Sequence, residues 1–188
     1  YGLGTDEFED ITFTYEAIDA ANDRDTATVT VRVQEGTVIT NQVYISEYVE
    51  GTSNNKAIEI FNGTGSAIDL TDFELERYSN GLTTPASVNL AAATGQATLA
   101  AGGVLVLYNG AASAELITAA GSATLSAASG LINHNGNDAY ALRQEGVIID
   151  LFGTIGEDPG AAWTEGTRST QDQTLRRTVG VGNATGFS

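Results

Sequence analysis

The chain has 188 residues, room for one ordinary domain or for a domain plus a fragment. Its 24 acidic and 8 basic residues leave a formal charge of −16. That charge argues against a grip on nucleic acid or on an anionic membrane by this chain, since both need clustered lysine and arginine. The absence of cysteine excludes disulfides, thiol nucleophiles and Cys–zinc sites, and 41% hydrophobic residues fit a folded chain rather than a disordered one.

Methionine is absent even from position 1, so the chain is expected to be an excised piece of a larger protein. No run approaches the roughly 18 apolar residues of a membrane span. With 22 glycines, much alanine and threonine and only two prolines, the composition suits short strands and turns.

Residues 11–18 and 26–33 alternate apolar and polar side chains at period two, the mark of half-buried strands. The polar run 19–25 between them predicts a β-hairpin over residues 1–36, and a lone hairpin is marginal in water. Residues 35–37 read as a linker. Beyond it, strands are predicted at 42–47, 57–62, 72–78, 104–108, 139–143, 147–152 and 174–177. Turn signals separate them: Asn-Gly at 62, 80, 109 and 135, Asn-Asn at 54, and Glu-Gly at 145. Many short strands with regular turns predict an all-β sandwich or barrel. The one fair helix candidate is 111–119, with Leu116 and Ile117 to bury.

Two resemblances sharpen this reading. FTYEAID at 13–19 followed by DTATVTV at 25–31 resembles the closing strand pair of bacterial cadherin-like or immunoglobulin-like repeats, which implies the last hairpin of a preceding repeat. From residue 38 onward the chain resembles a lamin-tail domain of the bacterial type carried by extracellular nucleases. The blocks that carry this are VYISEYVEGTSNNKAIEIFN at 43–62, AIDLTDFEL at 67–75, LAAGGVLVL at 99–107, NHNGNDAYAL at 133–142 and GVIID at 146–150. GTIGEDPG at 153–160, Trp163 and TLRR at 174–177 match the tail of the nuclease-linked subgroup. The resemblance implies an immunoglobulin-like β-sandwich over 38–188, and a parent enzyme whose catalytic domain lies elsewhere.

Chemistry is sparse. The only histidine, His134, sits in the turn-like run Asn133 to Gly136 and is expected to be a solvent-exposed or turn residue; no serine occupies a nucleophile elbow. Asp72, Glu74 and Glu76 are spaced by two, so they share one strand face and read as a solvated stripe. Calcium, a hard cation that gathers oxygen ligands, has two candidate sets. One is Asp19, Asn22, Asp23 and Asp25 at the first turn, otherwise a bare polar turn. The other is Glu47, Glu50, Asn55 and Asp138, from loops that would meet at one end of the sandwich. Trp163 is expected to plug the end of the core rather than to stack on a ligand. Arg176 and Arg177 face opposite sides of a strand, one of them to pair with a carboxylate.

The expectation is therefore an all-β, immunoglobulin-like β-sandwich of lamin-tail type with an N-terminal β-hairpin and one short helix. Functionally it is expected to be a non-catalytic accessory or interaction module of a secreted bacterial multidomain protein, an extracellular nuclease. It would be monomeric, partnered by other domains of its parent and without a certain cofactor other than the calcium candidates. The alternative is a stalk unit of a calcium-stiffened cell-surface adhesin.

Overall fold

The computed structural model describes residues 8–18, 22, 24–34, 42–121, 123–128 and 130–178. The chain divides into two compact units, Tyr1–Val38 and Ile39–Ser188. In the first, β1 (Phe8–Ile18) and β2 (Arg24–Gln34) pair antiparallel from Phe8↔Gln34 to Ile18↔Arg24. β1 begins before its alternating run and ends with it, whereas β2 extends beyond its run at both ends.

In the second unit β3 (Val43–Glu50) and β4 (Lys56–Asn62) form a hairpin. β5 (Ile68–Asp69) leads through a 3-10 turn, Leu70–Asp72, into β6 (Phe73–Tyr78). β7 (Ala86–Asn89) runs into α1 (Leu90–Thr94), followed by β8 (Thr98–Leu99) and β9 (Val104–Tyr108). Then come α2 (Ala114–Ala119), β10 (Thr124–Ala127), and the hairpin of β11 (Ala139–Gln144) and β12 (Val147–Phe152). β13 (Thr164–Glu165), β14 (Arg168–Ser169) and β15 (Thr174–Arg176) follow.

One sheet runs β10-β9-β4-β3-β15 and the other β12-β11-β6-β7. Pairing is antiparallel except between β9 and β10, which run parallel. The apolar core between the sheets takes alternate residues of each strand, as a period of two requires. Ile58 and Ile60 of β4, Phe73 and Leu75 of β6, Leu105 and Leu107 of β9, and Tyr140 and Leu142 of β11 are all buried in it. This is the expected all-β, immunoglobulin-like sandwich.

Helix content differs from the expectation. Among the described residues two short α-helices form, not one. Asn89 caps the first by accepting the Ala92 amide, and Gly95 ends it at φ +68°. Ser113 caps the second, which begins at Ala114, not 111; its Leu116 and Ile117 are only half-buried. The Asn-Gly signals divide as well. Asn80-Gly81 and Glu145-Gly146 take positive φ at both residues, as tight turns demand. Asn62 and Asn109 are instead buried. The Asn62 amide donates to Ser66, Leu99 and Ala100 carbonyls, and Asn109 donates to Ile132, so both hold loops rather than turn hairpins.

Candidate polar cleft at the charged end of the sandwich

Three strands carry charge on their core-facing side at one end of the sandwich. In β4 the buried face is Lys56, Ile58, Ile60 and Asn62, so Lys56 points inward by simple alternation. In β6 Arg77 shares the face of Phe73 and Leu75. β3 reaches the same result through a bulge between Ile45 and Glu47, which shifts its alternation by one residue. Val43 and Ile45 point inward before the bulge, Tyr48 and Glu50 after it. Without the bulge Glu47 and Val49 would occupy those places. β11 contributes Tyr140, and Asp138 lies just before it.

These groups neutralise one another. The Lys56 ammonium pairs with the Glu50 carboxylate and donates to the Gly51 carbonyl at 2.5 Å. The other Glu50 oxygen accepts the Asp172 amide. Asp138 accepts the Asn80 amide at 3.1 Å and faces Arg77 at 3.5 Å. Burial raises the Asp138 carboxyl above its ordinary pKa, against the pull of the Asn80 amide and Arg77.

Between the two pairs lies His134, 1% exposed. The expected exposed turn histidine is thus a core residue. Its ring stacks near Tyr48 (4.3 Å between centroids), and Tyr48 in turn stacks on Phe152 at 4.5 Å. Nε2 donates to the Val49 carbonyl at 2.8 Å, because a carbonyl only accepts. Nδ1 lies 2.8 Å from the Tyr140 hydroxyl, which also reaches the Leu131 carbonyl at 3.1 Å. Burial, then the neighbouring Lys56 and Arg77 charges, push the imidazole down to about 3 although the Val49 bond opposes them. Desolvation drives the Tyr48 and Tyr140 hydroxyls far up.

A cleft of about 430 Å³ opens onto this end, lined by Lys56, Arg77, His134 and Asp138 with Ser53, Ser79, Asn80, Asn133 and Asn135. A second hollow, a groove of about 860 Å³, lies on the outer face of the five-stranded sheet beneath α2. Its floor is Val49, Ala57 and Val106. Glu47, Glu59 and Glu115 rim it, with Arg176 the only basic residue among them.

The structure divides the second calcium set between these two places. Glu50 and Asp138 sit at the charged end, held by Lys56 and Arg77. Glu47 is on the outer face with Arg176 at 2.7 Å, and Asn55 accepts the Ser113 amide, tying α2 to the β3–β4 loop. Among the described residues no three acidic or histidine side chains gather as a metal site would require. Of the first set, Asp19 and Asp23 lie outside the described residues. Asn22 is exposed at φ +67°, and the Asp25 backbone pairs with Ala17.

The expected acidic stripe also changes. Asp72 is exposed and Glu74 half-buried, but Glu76 is 7% exposed, bonded by the Tyr78 hydroxyl at 2.5 Å and paired with Arg143 at 2.8 Å. An arginine two positions along the neighbouring strand makes a diagonal partner. Trp163 is buried, as expected. It packs on Gly153, where a Cβ would stand 3.0 Å from both Trp163 Nε1 and Ala139 Cβ, and donates to the Asp138 carbonyl.

Sequence reasoning missed Asp150. Fully buried on β12, it accepts the Ile45 amide at 2.8 Å and both oxygens meet Arg177, at 2.9 and 3.0 Å. The Arg177 Nε donates to the Ile45 carbonyl. Two side chains thus satisfy the Ile45 peptide at the β3 bulge, where β15 has ended. Both terminal arginines, not one, have carboxylate partners.

The lamin tail domain model matches residues 38–156, more than half of the chain. The chain belongs to the lamin tail domain family. No curated protein and no solved structure matches it. The family match begins shortly before β3 and ends just past β12, so it takes in both sheets except β15. The lamin tail domain here is therefore completed by β15, which pairs Thr174 with Val49 and Arg176 with Glu47.

Proposed function

We propose that this lamin tail domain is a non-catalytic accessory module of a longer secreted bacterial protein, an extracellular nuclease, in which it meets other domains of the same parent. The observation that carries the reading is the state of His134. Both ring nitrogens are engaged, by Val49 and Tyr140, so the chain's single histidine has no free nitrogen to serve as a general base. The buried carboxylates are spent in the same way: Glu50 on Lys56, Glu76 on Arg143, Asp138 on Arg77 and Asp150 on Arg177. A catalytic acid needs to be poised near a substrate, whereas these are locked into structural pairs. The groove beneath α2 supports the module reading by offering an apolar floor with an acidic rim, which suits a basic, partly apolar segment of a neighbouring domain.

Purified alone, the chain should leave DNA and RNA uncut with Mg²⁺, Ca²⁺ or Mn²⁺ present. Metal-dependent cleavage that disappears on Glu50→Gln or Asp138→Asn would sink the proposal.

A further inference from the structure

The outer face of the five-stranded sheet holds a charge conflict that the domain does not resolve. Glu47 of β3 and Glu59 of β4 stand directly opposite each other, and like charges in that position repel. The next strand supplies one cation. Arg176 of β15, opposite Glu47, bonds it at 2.7 Å, and the Glu59 charge reaches the same guanidinium. Glu59 accepts the neutral Ser46 hydroxyl at 2.7 Å and has no basic partner among the described residues. Glu115, exposed in the first turn of α2, adds a third carboxylate to the rim, again without a basic partner among them. Lys56, Arg77, Arg143 and Arg177 cannot help, since each is held at its own buried carboxylate.

Beside this acidic row lies an apolar one. Val49 stands opposite Ala57, two residues along each strand from Glu47 and Glu59. Two residues of strand span about 7 Å, so the rows are neighbours on one face. Val106, opposite Glu59, extends the floor. The wall is α2, whose Leu116 is only half-buried and which buries none of its residues. A helix over a sheet ordinarily closes its apolar side onto it. This one is tied at its start by the Ser113 amide to Asn55 and leaves the groove of about 860 Å³ between wall and floor.

We propose that this groove receives an extended basic segment of the parent chain, one that carries an aliphatic side chain and, two positions away, an arginine or lysine. In an extended segment such side chains share a face about 7 Å apart, which is the separation of the two rows. The aliphatic group lies on Val49 and Ala57 against Leu116, and the cation lies between Glu47 and Glu59, where it relieves their repulsion. A weak contact suffices, because a segment of the same chain is present at millimolar effective concentration. A second copy of this chain fits badly, since each copy carries a charge of −16. The proposal rests on the accessory-module reading and names what that module meets.

The test is calorimetric titration of the whole 188-residue chain with the synthetic peptide acetyl-Thr-Val-Thr-Arg-Thr-amide at constant ionic strength. It should bind one-to-one with submillimolar Kd. Acetyl-Thr-Thr-Val-Arg-Thr-amide, which puts the two side chains on opposite faces, should bind at least fivefold more weakly. Glu59→Gln should weaken the first peptide at least fivefold. Arg176→Gln, at a side chain 75% exposed, frees Glu47 and should tighten binding at least twofold. Arg168→Gln makes the same change of net charge at an exposed residue outside the groove and should leave Kd unchanged. No binding of the first peptide below 10 mM overturns the proposal. Equal binding of the two peptides does so too, as do equal effects of the two arginine variants, which would reduce the contact to general attraction by an acidic chain. Sedimentation that shows a dimer dispersed by Glu59→Gln would give the groove to a second copy and also overturn it. Each of these failures leaves the accessory-module reading intact, because that reading falls only on nucleic-acid cleavage by this chain.

Discussion

Single residues in this domain divide sharply by the face they occupy. Ile58 and Glu59 are neighbours on β4, yet Ile58 is fully buried while Glu59 is half-buried and accepts the Ser46 hydroxyl at 2.7 Å. Ile58→Asp places an unpaired carboxylate in the core and should cost several kcal/mol, on the order of a domain's whole stability. Glu59→Gln keeps an acceptor for Ser46 and should cost less than about 1 kcal/mol. Urea titrations of both variants check the pair, and similar midpoints would mean the faces are misassigned. Asp150 is a stronger case of the same logic. Asp150→Ala strands the Arg177 guanidinium and the Ile45 amide inside the sandwich, so a loss of roughly 3–5 kcal/mol is expected. Adding Arg177→Ala should recover part of that loss, because the uncompensated charge is then gone. A double-mutant cycle with no coupling between the two would contradict this account.

Among the elements, hairpins and helix ends follow local chemistry closely, and one exception is informative. The turn between β11 and β12 places Glu145 at φ +49° and Gly146 at φ +80°. Glycine adopts this backbone freely, but glutamate does so only with strain, while asparagine tolerates it. Glu145→Asn should therefore stabilise the domain by about 0.5–1 kcal/mol, the usual scale of such backbone effects. Glu145 is exposed, and its amide bond to the Asp72 carbonyl survives the change. Thermal unfolding measures the gain, and a lower melting temperature would show that the Glu145 side chain does something beyond the turn. The bulge in β3 is the element-scale device with the widest effect. One extra residue exchanges Glu47 and Val49 for Tyr48 and Glu50 on the inner face, and so builds half of the charged end.

For the whole molecule, the buried titratable groups set the pH range of stability. His134 is neutral in the fold, with its pKa held at about 3 against 6.5 for the free ring. Above pH 6.5 neither state takes up the proton, so the full stability is present. As pH falls from 6.5 towards 3, only the unfolded chain protonates, and stability drops by about 1.4 kcal/mol per pH unit. Asp138, raised by burial, works the other way, because the fold takes up its proton before the unfolded chain does. His134 acts first on acidification, since its window opens at 6.5. At the alkaline end, Tyr48 and Tyr140 stay protonated in the fold while the unfolded chain ionises above about pH 10, so stability is lost there too. The expected profile is a plateau between pH 7 and 9 with a fall on either side. His134→Gln should lower the plateau but flatten the slope between pH 6.5 and 5. Denaturant titrations at pH 5, 6 and 7 test this, and an unchanged slope in the variant would remove His134 as its source.

Much of the architecture was legible along the chain because strand identity is a local property. Short apolar-rich runs bounded by turn residues marked β4, β6, β9, β11 and β12 within a residue or so. The Glu145-Gly146 and Asn80-Gly81 turns were likewise readable from residue type. What the chain could not declare was any feature set by partners distant in sequence. His134 looks like a turn residue until Val49, 85 positions away, accepts its Nε2–H and Tyr48 covers its ring. Glu76 looks like a solvated carboxylate until Arg143 arrives from the neighbouring strand. Asp150 carries no local mark at all, because its partners Ile45 and Arg177 lie 105 and 27 positions away. Backbone conformation follows from side-chain shape and alternation over a few residues. The burial and pairing of a charge depend on which strands the fold lays side by side, and that is decided only when the two sheets close.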